Sequence, residues 1–334
     1  MIDYQELAND IIKGKTVSDT VAFKLINTSD EKLFELLAAA HKIRRHFKGN
    51  RIRLCAIINA KSGRCSENCI FCAQSAHYQT KINTYPLVGK DTIVDAANQA
   101  QKMSATCFSI VTSGKSIHNQ EEVSTIAFAL KTIASQTKMN RCVSLGTISK
   151  ESIKILKDSG LKRLHHNLET AESFFAKICT THTYQERIET IKSAKEAGLE
   201  VCSGGIFGLG ETPEQRVELA FTLKQLNVDS VPINILHPIA GTPAEKNYKP
   251  LSPFEILKLI ATYRFILPDK DIGVFGGREY ALRDLQAFIF PAGANAILIG
   301  DYLTTKGQPP EKDLQMIHDL GLEPEKVEID HLNV

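Results

Sequence analysis

The hydrophobic positions of the chain fall into short β-rich runs that alternate with longer amphipathic stretches. Apolar residues first recur at helical spacing, as in DEKLFELLAAAHKIRRHF, and eight runs rich in β-branched residues follow. These runs are RLCAIIN, ATCFSIVTS, NRCVSLG, RLHHNLE, EVCSGGIFG, SVPINIL, IGVFGG and NAILIG. Eight strands alternating with helices predict an α/β fold, a parallel sheet closed as a (β/α)8 TIM-type barrel.

Helix-capping residues and glycines between the runs support this pattern. Thr183, Thr212 and Ser252 each open a capping box, in TYQE, TPEQ and SPFE, and so predict three helix starts. The segments ILKDSGLKRLHH and SAKEAGLEVCSG each end a helix at a glycine, Gly160 or Gly198, before the next strand. Such repetition is expected of successive βα units.

The chain lacks a linker rich in Pro, Gly or Ser, so we predict one barrel with extensions. The predicted parts are an N-terminal helical extension (1–50), the barrel (51–302) and a C-terminal tail (303–334). The tail is expected to pack on the barrel and to contain its own short helix.

The amino-acid composition limits the classes of function that are expected for the chain. The 334 residues are 43% hydrophobic and 23% charged, as in ordinary globular proteins. A net charge of +2 without a basic tract predicts no binding to nucleic acid or to a membrane surface. The N-terminus has early acids and no apolar core, and AFIFPAGANAILIG is interrupted and too short to span a bilayer. We therefore expect a cytoplasmic protein, whose eight cysteines are metal ligands or buried small side chains rather than disulfides.

Three cysteines lie close together in GRCSENCIFCAQSAHY, at C-x3-C-x2-C spacing. They are Cys65, Cys69 and Cys72, in the loop that follows the first predicted strand. Three thiolates would leave one iron of a four-iron cluster open for another ligand. The alternative is a zinc site of Cys3His type, completed by His77.

This loop, with Phe71 before its last cysteine, resembles the radical S-adenosylmethionine (SAM) superfamily, in which SAM binds the open iron. Further segments resemble the biotin synthase family from about residue 50 to about residue 320. They are NAKSGRCSENCIFCAQSAHY, LGTIS, HHNLET, TTHTYQERIETI, VCSGGIFGLGET, VPINIL, GTP and AGAN.

The family resemblance implies a sulfurtransferase that catalyses the last step of biotin biosynthesis. Dethiobiotin receives sulfur from an auxiliary iron–sulfur cluster, and two SAM are cleaved to methionine and 5′-deoxyadenosine. The resemblance also implies a flavodoxin- or ferredoxin-type electron donor and a homodimer.

Carried over by position, Cys65, Cys69 and Cys72 match the ligands of the [4Fe–4S] cluster. Phe71 matches an aromatic residue beside the adenine of SAM. Arg187 matches an arginine near the methionyl carboxylate, which a guanidinium fork is suited to bind. A surface charge on a helix is the alternative for Arg187.

Other positions match the ribose and substrate contacts of the family. Asn167 and Glu169 fall in its N-x-D segment, with Glu in place of Asp, and Asn234 matches an asparagine of the substrate pocket. Glycines are expected where backbone passes close to SAM: Gly204, Gly205, Gly208 and Gly210. The asparagines could instead satisfy strand-end backbone groups, and the glycines could serve only the turns. His165 and His166 are interpreted as barrel-lining polar residues.

Cys107, Cys142 and Cys202 match three ligands of the second cluster, which is [2Fe–2S] in the family. Each lies early in its own predicted strand, and residues at equivalent height can point into one barrel. The alternative is that they are buried small hydrophobes, as free cysteines commonly are.

The chain departs from the family at the fourth ligand of this cluster. Gly273 stands where well-known members have an arginine, and Arg278 belongs to the neighbouring GRE segment and does not replace it. Cys55 has the same phase in the first strand as the three cysteines, whereas Cys179 falls near a helix end. We therefore hypothesise that Cys55 completes the set, and four thiolates suit a four-iron centre.

Two other function classes are open to the sequence. A related radical-SAM barrel that isomerises an amino acid or assembles a metallocofactor would generally lack Cys107, Cys142 and Cys202. A zinc- or cluster-binding redox sensor would not cleave SAM.

Overall fold

Three helices precede the first strand in the computed structural model, which describes residues 2–117, 119–248 and 250–326. They are α1 (Tyr4–Ile12), α2 (Asp19–Ile26) and α3 (Leu33–Lys48), with a short 3-10 turn at Asp30–Lys32 before the third. Helix α3 packs against α1 and also against α11 (Pro253–Ile266) of the barrel's outer layer. The N-terminal helices therefore join the barrel's outer layer.

The barrel strands follow in the predicted order. They are β1 (Arg51–Lys61), β2 (Cys107–Thr112), β3 (Asn140–Ser144), β4 (Arg163–His165), β5 (Glu200–Cys202), β6 (Gly205–Phe207), β7 (Ser230–Ile235), β8 (Asp271–Val274) and β9 (Ala296–Leu298). All pairings are parallel, and β1 pairs with β9 to close the sheet. The predicted strand EVCSGGIFG forms two segments, β5 and β6, with a break between them, and both segments pair with β7. The predicted (β/α)8 barrel is confirmed.

The remaining helices are α4 (Lys90–Lys102), α5 (Gln120–Gln136), α6 (Lys150–Asp158), α7 (Glu172–Phe175), α8 (Tyr184–Glu196), α9 (Pro213–Gln225), α10 (Pro243–Asn247), α12 (Arg278–Leu282) and α13 (Pro310–Asp319). A 3-10 segment spans Arg283–Ile289. Thr183, Thr212 and Ser252 all form capping boxes, as predicted. Gly160 and Gly198 have left-handed φ values of 97° and 73° directly after the C-cap residues of α6 and α8.

The tail is fastened to the barrel by buried charge and by one short strand. Asp313 of α13 pairs with Arg278 at 2.8 Å, and both side chains are almost fully buried. The strand β10 (Glu323–Pro324) pairs with the start of β1. The predicted tail helix is present. The division at residues 50 and 302 stays a prediction, and residues 327–334 of the predicted tail lie outside the described residues.

Apolar side chains from Tyr4 to Leu322 form one continuous core around the barrel. A second, smaller apolar cluster lies in the barrel's interior and includes Cys55, Cys107 and Cys142. None of the helices described here combines the length and apolar character needed to cross a bilayer.

Candidate functional site

A cavity of about 450 Å³ lies inside the barrel and extends to the loops at the carboxyl ends of the strands. Two sets of cysteines line it. The loop cysteines are Cys65, Cys69 and Cys72, and the strand cysteines are Cys55, Cys107, Cys142 and Cys202. All are free thiols. The volume is typical of a site for small molecules, so both sets face one space in which a ligand can lie.

The three-cysteine loop follows β1 and is stabilised by hydrogen bonds within its own backbone. The amide of Cys65 donates to the carbonyl of Gln74 at 2.9 Å, and the amide of Ala76 donates to the carbonyl of Cys65 at 2.7 Å. Cys65 and Cys69 are buried and Cys72 is half-buried. Burial raises the pKa of Cys72 to about 11, so its thiolate requires a cation beside it.

The distances between the loop thiols indicate whether they can bind a single zinc ion or an iron–sulfur cluster. Because a Zn–S bond is about 2.3 Å, two thiolates on one zinc ion lie no more than about 4.6 Å apart. The Sγ atoms of Cys65, Cys69 and Cys72 do not all lie within 4.8 Å of one another, and His77 does not join them within the described part of the chain. His77 instead contacts the carbonyl of Ser66 at 2.9 Å. The donors fit a cluster in which each iron takes one thiolate.

Arg187 reaches the cavity from α8 and is fixed on three sides. Its Nε donates to Nε2 of His182 at 3.0 Å, and its Nη1 donates to the carbonyl of Asn167 at 2.8 Å. The ring of Phe175 lies 5.7 Å from its guanidinium carbon. Its Nη2 has no hydrogen-bond partner among the described residues and is free for an anionic ligand.

Asn167 and Glu169 lie just beyond β4. The Oδ1 of Asn167 accepts from the amide of Gly204 at 3.1 Å, and its Nδ2 donates to Glu169 at 3.3 Å. Burial raises the pKa of Glu169, although Arg187, 3.8 Å away, opposes the rise. Both side chains line the cavity. Asn167 thus satisfies a strand-end amide and faces the cavity as well.

Gly204 and Gly205 allow the backbone at the start of β6 to approach two neighbouring segments closely. A Cβ on Gly204 would lie 2.0 Å from the carbonyl oxygen of Pro232, and one on Gly205 would lie 2.4 Å from that of Glu169. Neither residue lines the cavity, whereas their neighbour Ile206 does. Gly208 and Gly210 have positive φ values of 95° and 99°. The expected contact of these glycines with SAM stays a prediction.

Asn234 and Phe71 line the cavity from other sides. The Nδ2 of Asn234 donates to the carbonyl of Gly205 at 3.3 Å, and its Oδ1 accepts from the amide of Gly276 at 3.0 Å. The asparagine therefore joins β6, β7 and the loop after β8. Phe71 is half-buried in the cysteine loop.

The strand cysteines lie in neighbouring positions inside the barrel. Cys55 of β1 is directly opposite Cys107 of β2, and Cys142 of β3 is opposite Ser109, two residues further along β2. Contact with Cys107 raises the pKa of Cys55, and burial adds to the rise. Contact with Cys142 and Cys55 in turn lowers the pKa of Cys107. One sulfur of the set can therefore be charged while its neighbours stay protonated, and a bound metal would be needed to hold all of them as thiolates.

Two guanidinium groups lie close to the strand cysteines. Arg163 of β4 is opposite Cys142, and Arg53 lies two residues before Cys55 on β1. Burial raises the pKa of Cys202 to about 11, and the charge of Arg163 opposes this rise most strongly. Arg163 is itself held by Glu200, through Nε at 2.9 Å and Nη2 at 2.7 Å.

Cys179 is separate from the strand cysteines. Its Sγ lies within 4.8 Å of Cys69 and of a ring nitrogen of His182, and it donates to Oδ1 of Asn68 at 3.4 Å. The structure therefore groups Cys55, and not Cys179, with Cys107. The phase of Cys55 in the sequence had indicated the same choice.

His165 and His166 both line the cavity, in agreement with their interpretation as barrel-lining residues. Burial lowers the pKa of His165 to about 4, so its imidazole is neutral at physiological pH. Burial also lowers the pKa of His166, whose Nε2 has no partner among the described residues.

Sequence reasoning missed several polar residues that contact the site. Glu67 lies within the cysteine loop, and its carboxylate contacts His182, which in turn contacts Arg187. Arg163 was also missed. The charged first residue of the predicted strand RLHHNLE was the available signal for Arg163, and an acidic residue between two of the loop cysteines was the signal for Glu67.

Family models match two parts of the chain. Residues 60–223 match the radical SAM superfamily, and residues 232–323 match the biotin and thiamin synthesis associated domain. The chain is 53% identical over 323 residues to a biotin synthase of Geobacter sulfurreducens, covering 96% of this chain and 98% of the relative. It is 50% identical over 318 residues to a biotin synthase of Geotalea uraniireducens, covering 95% and 96%.

A solved structure shares the fold at low sequence identity. Methylornithine synthase superposes with a TM-score of 0.83 at 20% identity, covering 96% of this chain and 98% of that one. At this identity the likeness concerns the barrel alone.

Proposed function

The chain belongs to the biotin synthase family, and we propose that its loop and strand cysteines hold the two iron–sulfur centres of that family. The chain is a radical-SAM sulfurtransferase that converts dethiobiotin to biotin, the last step of biotin biosynthesis. Its cofactors are a [4Fe–4S] cluster, SAM and a second iron–sulfur cluster.

One observation carries the assignment of residues. The loop cysteines and the strand cysteines line the same cavity of about 450 Å³. A reaction that needs SAM on one side of dethiobiotin and a sulfur donor on the other requires such an arrangement. A cluster site used only for structure or for sensing would not require the second set.

When bound, the first cluster supplies the electron that cleaves SAM to methionine and a 5′-deoxyadenosyl radical, and the second supplies sulfur. Cys65, Cys69 and Cys72 would hold the first. Arg187 would bind the methionyl carboxylate through its free Nη2, because a guanidinium donates strongly to carboxylates. Phe71 would pack against the adenine.

Asn167, Glu169 and Asn234 would orient the ribose and dethiobiotin. Their side chains are already held by protein hydrogen bonds, so they can fix a ligand with little further loss of side-chain entropy. We retain the proposal that the backbone at Gly204 and Gly205 passes close to SAM, next to Ile206, which lines the cavity. With SAM and dethiobiotin bound, the walls of the cavity would limit the access of water to the reacting carbons, which protects against side reactions.

For the second cluster we propose Cys55, Cys107, Cys142 and Cys202 as ligands. Four thiolates can hold either a [2Fe–2S] cluster, as in the family, or a four-iron centre. We retain the four-iron centre as the proposal. Arg163 would not serve as a ligand, because it is protonated and its donors are directed at Glu200. Its positive charge, with that of Arg53, would offset the charge of the thiolates.

The other partners follow from family resemblance. We propose a flavodoxin- or ferredoxin-type electron donor, a homodimer and a cytoplasmic location. We also retain the division of the chain into a helical extension (1–50), a barrel (51–302) and a tail (303–334).

The test is an anaerobic assay of the reconstituted protein with dethiobiotin, SAM and a reductant, followed by mass spectrometry. Formation of both biotin and 5′-deoxyadenosine is expected. Formation of 5′-deoxyadenosine alone would contradict the substrate, and formation of neither would contradict the radical reaction. Iron analysis and Mössbauer spectra of the same sample give the number and type of the clusters.

A further inference from the structure

We propose that Glu67 and His182 form a hydrogen-bonded chain that orients Arg187 toward the carboxylate of SAM. This inference rests on the proposed role of Arg187. It adds two positioning residues, one of which belongs to the cysteine loop itself.

The hydrogen-bond partners of His182 indicate which of its ring nitrogens accepts. Nε of Arg187 always carries a hydrogen, and it lies 3.0 Å from Nε2 of His182, so Nε2 must accept. The hydrogen of a neutral imidazole then resides on Nδ1, which faces Oε2 of Glu67. The side chains of His182 and Glu67 are only 7% and 8% exposed. Glu67 therefore fixes the tautomer that leaves Nε2 free for Arg187.

His182 also belongs to a group of possible metal ligands. Cys69, Cys179 and His182 come within 4.8 Å of one another, as the ligands of a single ion would. However, both nitrogens of the ring are engaged, one by Arg187 and one by Glu67. Sγ of Cys179 also lies 3.2 Å from Nδ1. In this arrangement the ring donates from Nδ1 and accepts at Nε2, so we assign it to the positioning of Arg187.

Glu67 is tied to the shape of the cysteine loop. Its backbone carbonyl accepts from Oγ of Ser75 at 2.6 Å, and its carboxylate accepts from Oγ1 of Thr181 at 2.8 Å. Because Glu67 lies between Cys65 and Cys69, the orientation of Arg187 depends on the folding of the loop that holds the first cluster.

Without this chain, Arg187 has another partner available. Oε1 of Glu169 lies 3.8 Å from Nη1 of Arg187. Loss of the acceptor on His182 would release Nε and allow the guanidinium to turn toward this buried carboxylate. The Nη2 edge would then no longer face the methionyl carboxylate. The expected defect is weaker binding of SAM, and specifically of its carboxylate.

The test compares SAM with decarboxylated SAM, which lacks the carboxylate. Binding to the oxidised holoenzyme is measured by anaerobic equilibrium dialysis without reductant. In His182→Phe, the Kd for SAM should rise about tenfold or more, since a hydrogen bond to a charged group is lost. The Kd for decarboxylated SAM should stay within about twofold. His182→Gln, whose side-chain oxygen can accept from Arg187, should recover most of the affinity.

Two further variants complete the design. Glu67→Ala should reproduce part of the defect, because His182 loses the partner that fixes its tautomer. In Arg187→Met, the additional change His182→Phe should have no further effect on the Kd for SAM. Thr190→Val, a buried change on the same helix, is the matched control, and iron content reports on folding of every variant.

The inference is overturned if His182→Phe weakens both ligands equally, or if its effect persists in Arg187→Met. It is also overturned if the unmodified protein binds SAM no better than decarboxylated SAM. Failure of the proposed function would be seen separately, as absence of biotin from the unmodified protein in the turnover assay.

Discussion

The ring of Phe275 lies over the Cα of Gly273, two residues earlier in the chain. A Cβ added to Gly273 would be 2.5 Å from a carbon of this ring and 3.2 Å from Cβ of Ala296. Phe275 packs in the same cluster as Cys55 and Cys107. An aromatic ring therefore fills the space at the position where the family resemblance places an arginine ligand.

This contact predicts the outcome of restoring the arginine. Gly273→Arg should destabilise the barrel by about 1–3 kcal/mol, because the new side chain must displace a buried ring. It should also lower the iron bound by the strand cysteines. The double variant Gly273→Arg, Phe275→Ala should recover stability. Thermal unfolding and iron analysis check both results, and an unaltered iron content in the single variant would contradict the prediction.

Cys55→Ser should remove the second cluster while leaving the first. Cys55 is opposite Cys107 in the sheet, so its loss takes one of four thiolates from the set. The expected result is 5′-deoxyadenosine formation without biotin, with the Mössbauer signal of the second cluster absent. Cys179→Ser is the comparison, because Cys179 lies beside Cys69 instead. A second cluster that survives Cys55→Ser but not Cys179→Ser would reverse the assignment.

Much of the fold was accessible from sequence because its determinants are local. Capping boxes at Thr183, Thr212 and Ser252 depend on four consecutive residues, and all three form as predicted. The grouping of Cys55 with Cys107 followed from strand phase, since neighbouring parallel strands start at equivalent heights. Both rules hold without knowledge of distant contacts.

The parts that sequence reasoning missed depend on contacts between distant segments. Glu67 and His182 are 115 residues apart, and no local pattern links them. Arg163 and Glu200 pair across β4 and β5, and the sequence gives no indication that their side chains meet. The fifth strand is interrupted between Cys202 and Gly205, which a continuous β-rich run does not reveal.

Arg163→Met should weaken retention of the second cluster. The guanidinium is buried and lies beside the strand cysteines, so its removal leaves their negative charge less compensated and leaves Glu200 without its ion pair. Iron and sulfide per chain should fall after anaerobic gel filtration, whereas the first cluster should remain. Arg163→Lys should retain more iron, because the charge is kept.

Arg141→Met is the matched control for this prediction. Arg141 neighbours Cys142 in sequence, but its guanidinium donates to the backbone carbonyls of Gly160 and Met139. Its loss should leave the iron content of the second cluster unchanged. Equal losses of iron in both variants would indicate a general effect on the barrel.

Gly205→Ala should impair SAM binding and stability together. The added Cβ would meet the carbonyl oxygen of Glu169 at 2.4 Å, and backbone cannot give way as a flexible side chain can. The segment after β4 that carries Glu169 would have to shift within the site. Gly89→Ala is the control, because its φ is −63° and open space surrounds it. A Kd for SAM within twofold of the unmodified value in Gly205→Ala would contradict the prediction.

Asp271→Asn should lower the free energy of unfolding by about 2 kcal/mol at neutral pH. Burial by itself raises the pKa of Asp271, but Arg53 and Lys48 outweigh it and bring the pKa to about 2. Lys48 lies 2.9 Å from Oδ1, and Arg53 contacts Oδ2. The folded carboxylate is therefore stabilised in its charged form, and the asparagine variant loses that stabilisation.

The direction of the pKa shift predicts how the difference in unfolding free energy between the unmodified protein and Asp271→Asn depends on pH. Because the pKa of Asp271 is lower in the folded state than its ordinary value of 3.8, its contribution is fully present above about pH 4 and is lost as the pH falls toward 2. Urea titrations from pH 8 to pH 5 should thus show a constant gap between the two proteins. Asp269→Asn, at an exposed carboxylate in the same turn, should change stability by less than about 0.5 kcal/mol. A stability difference that widens toward pH 5 would mean that a group other than Asp271 titrates. An equal loss of stability in Asp271→Asn and Asp269→Asn would contradict a stabilising role for the buried pairing with Arg53 and Lys48.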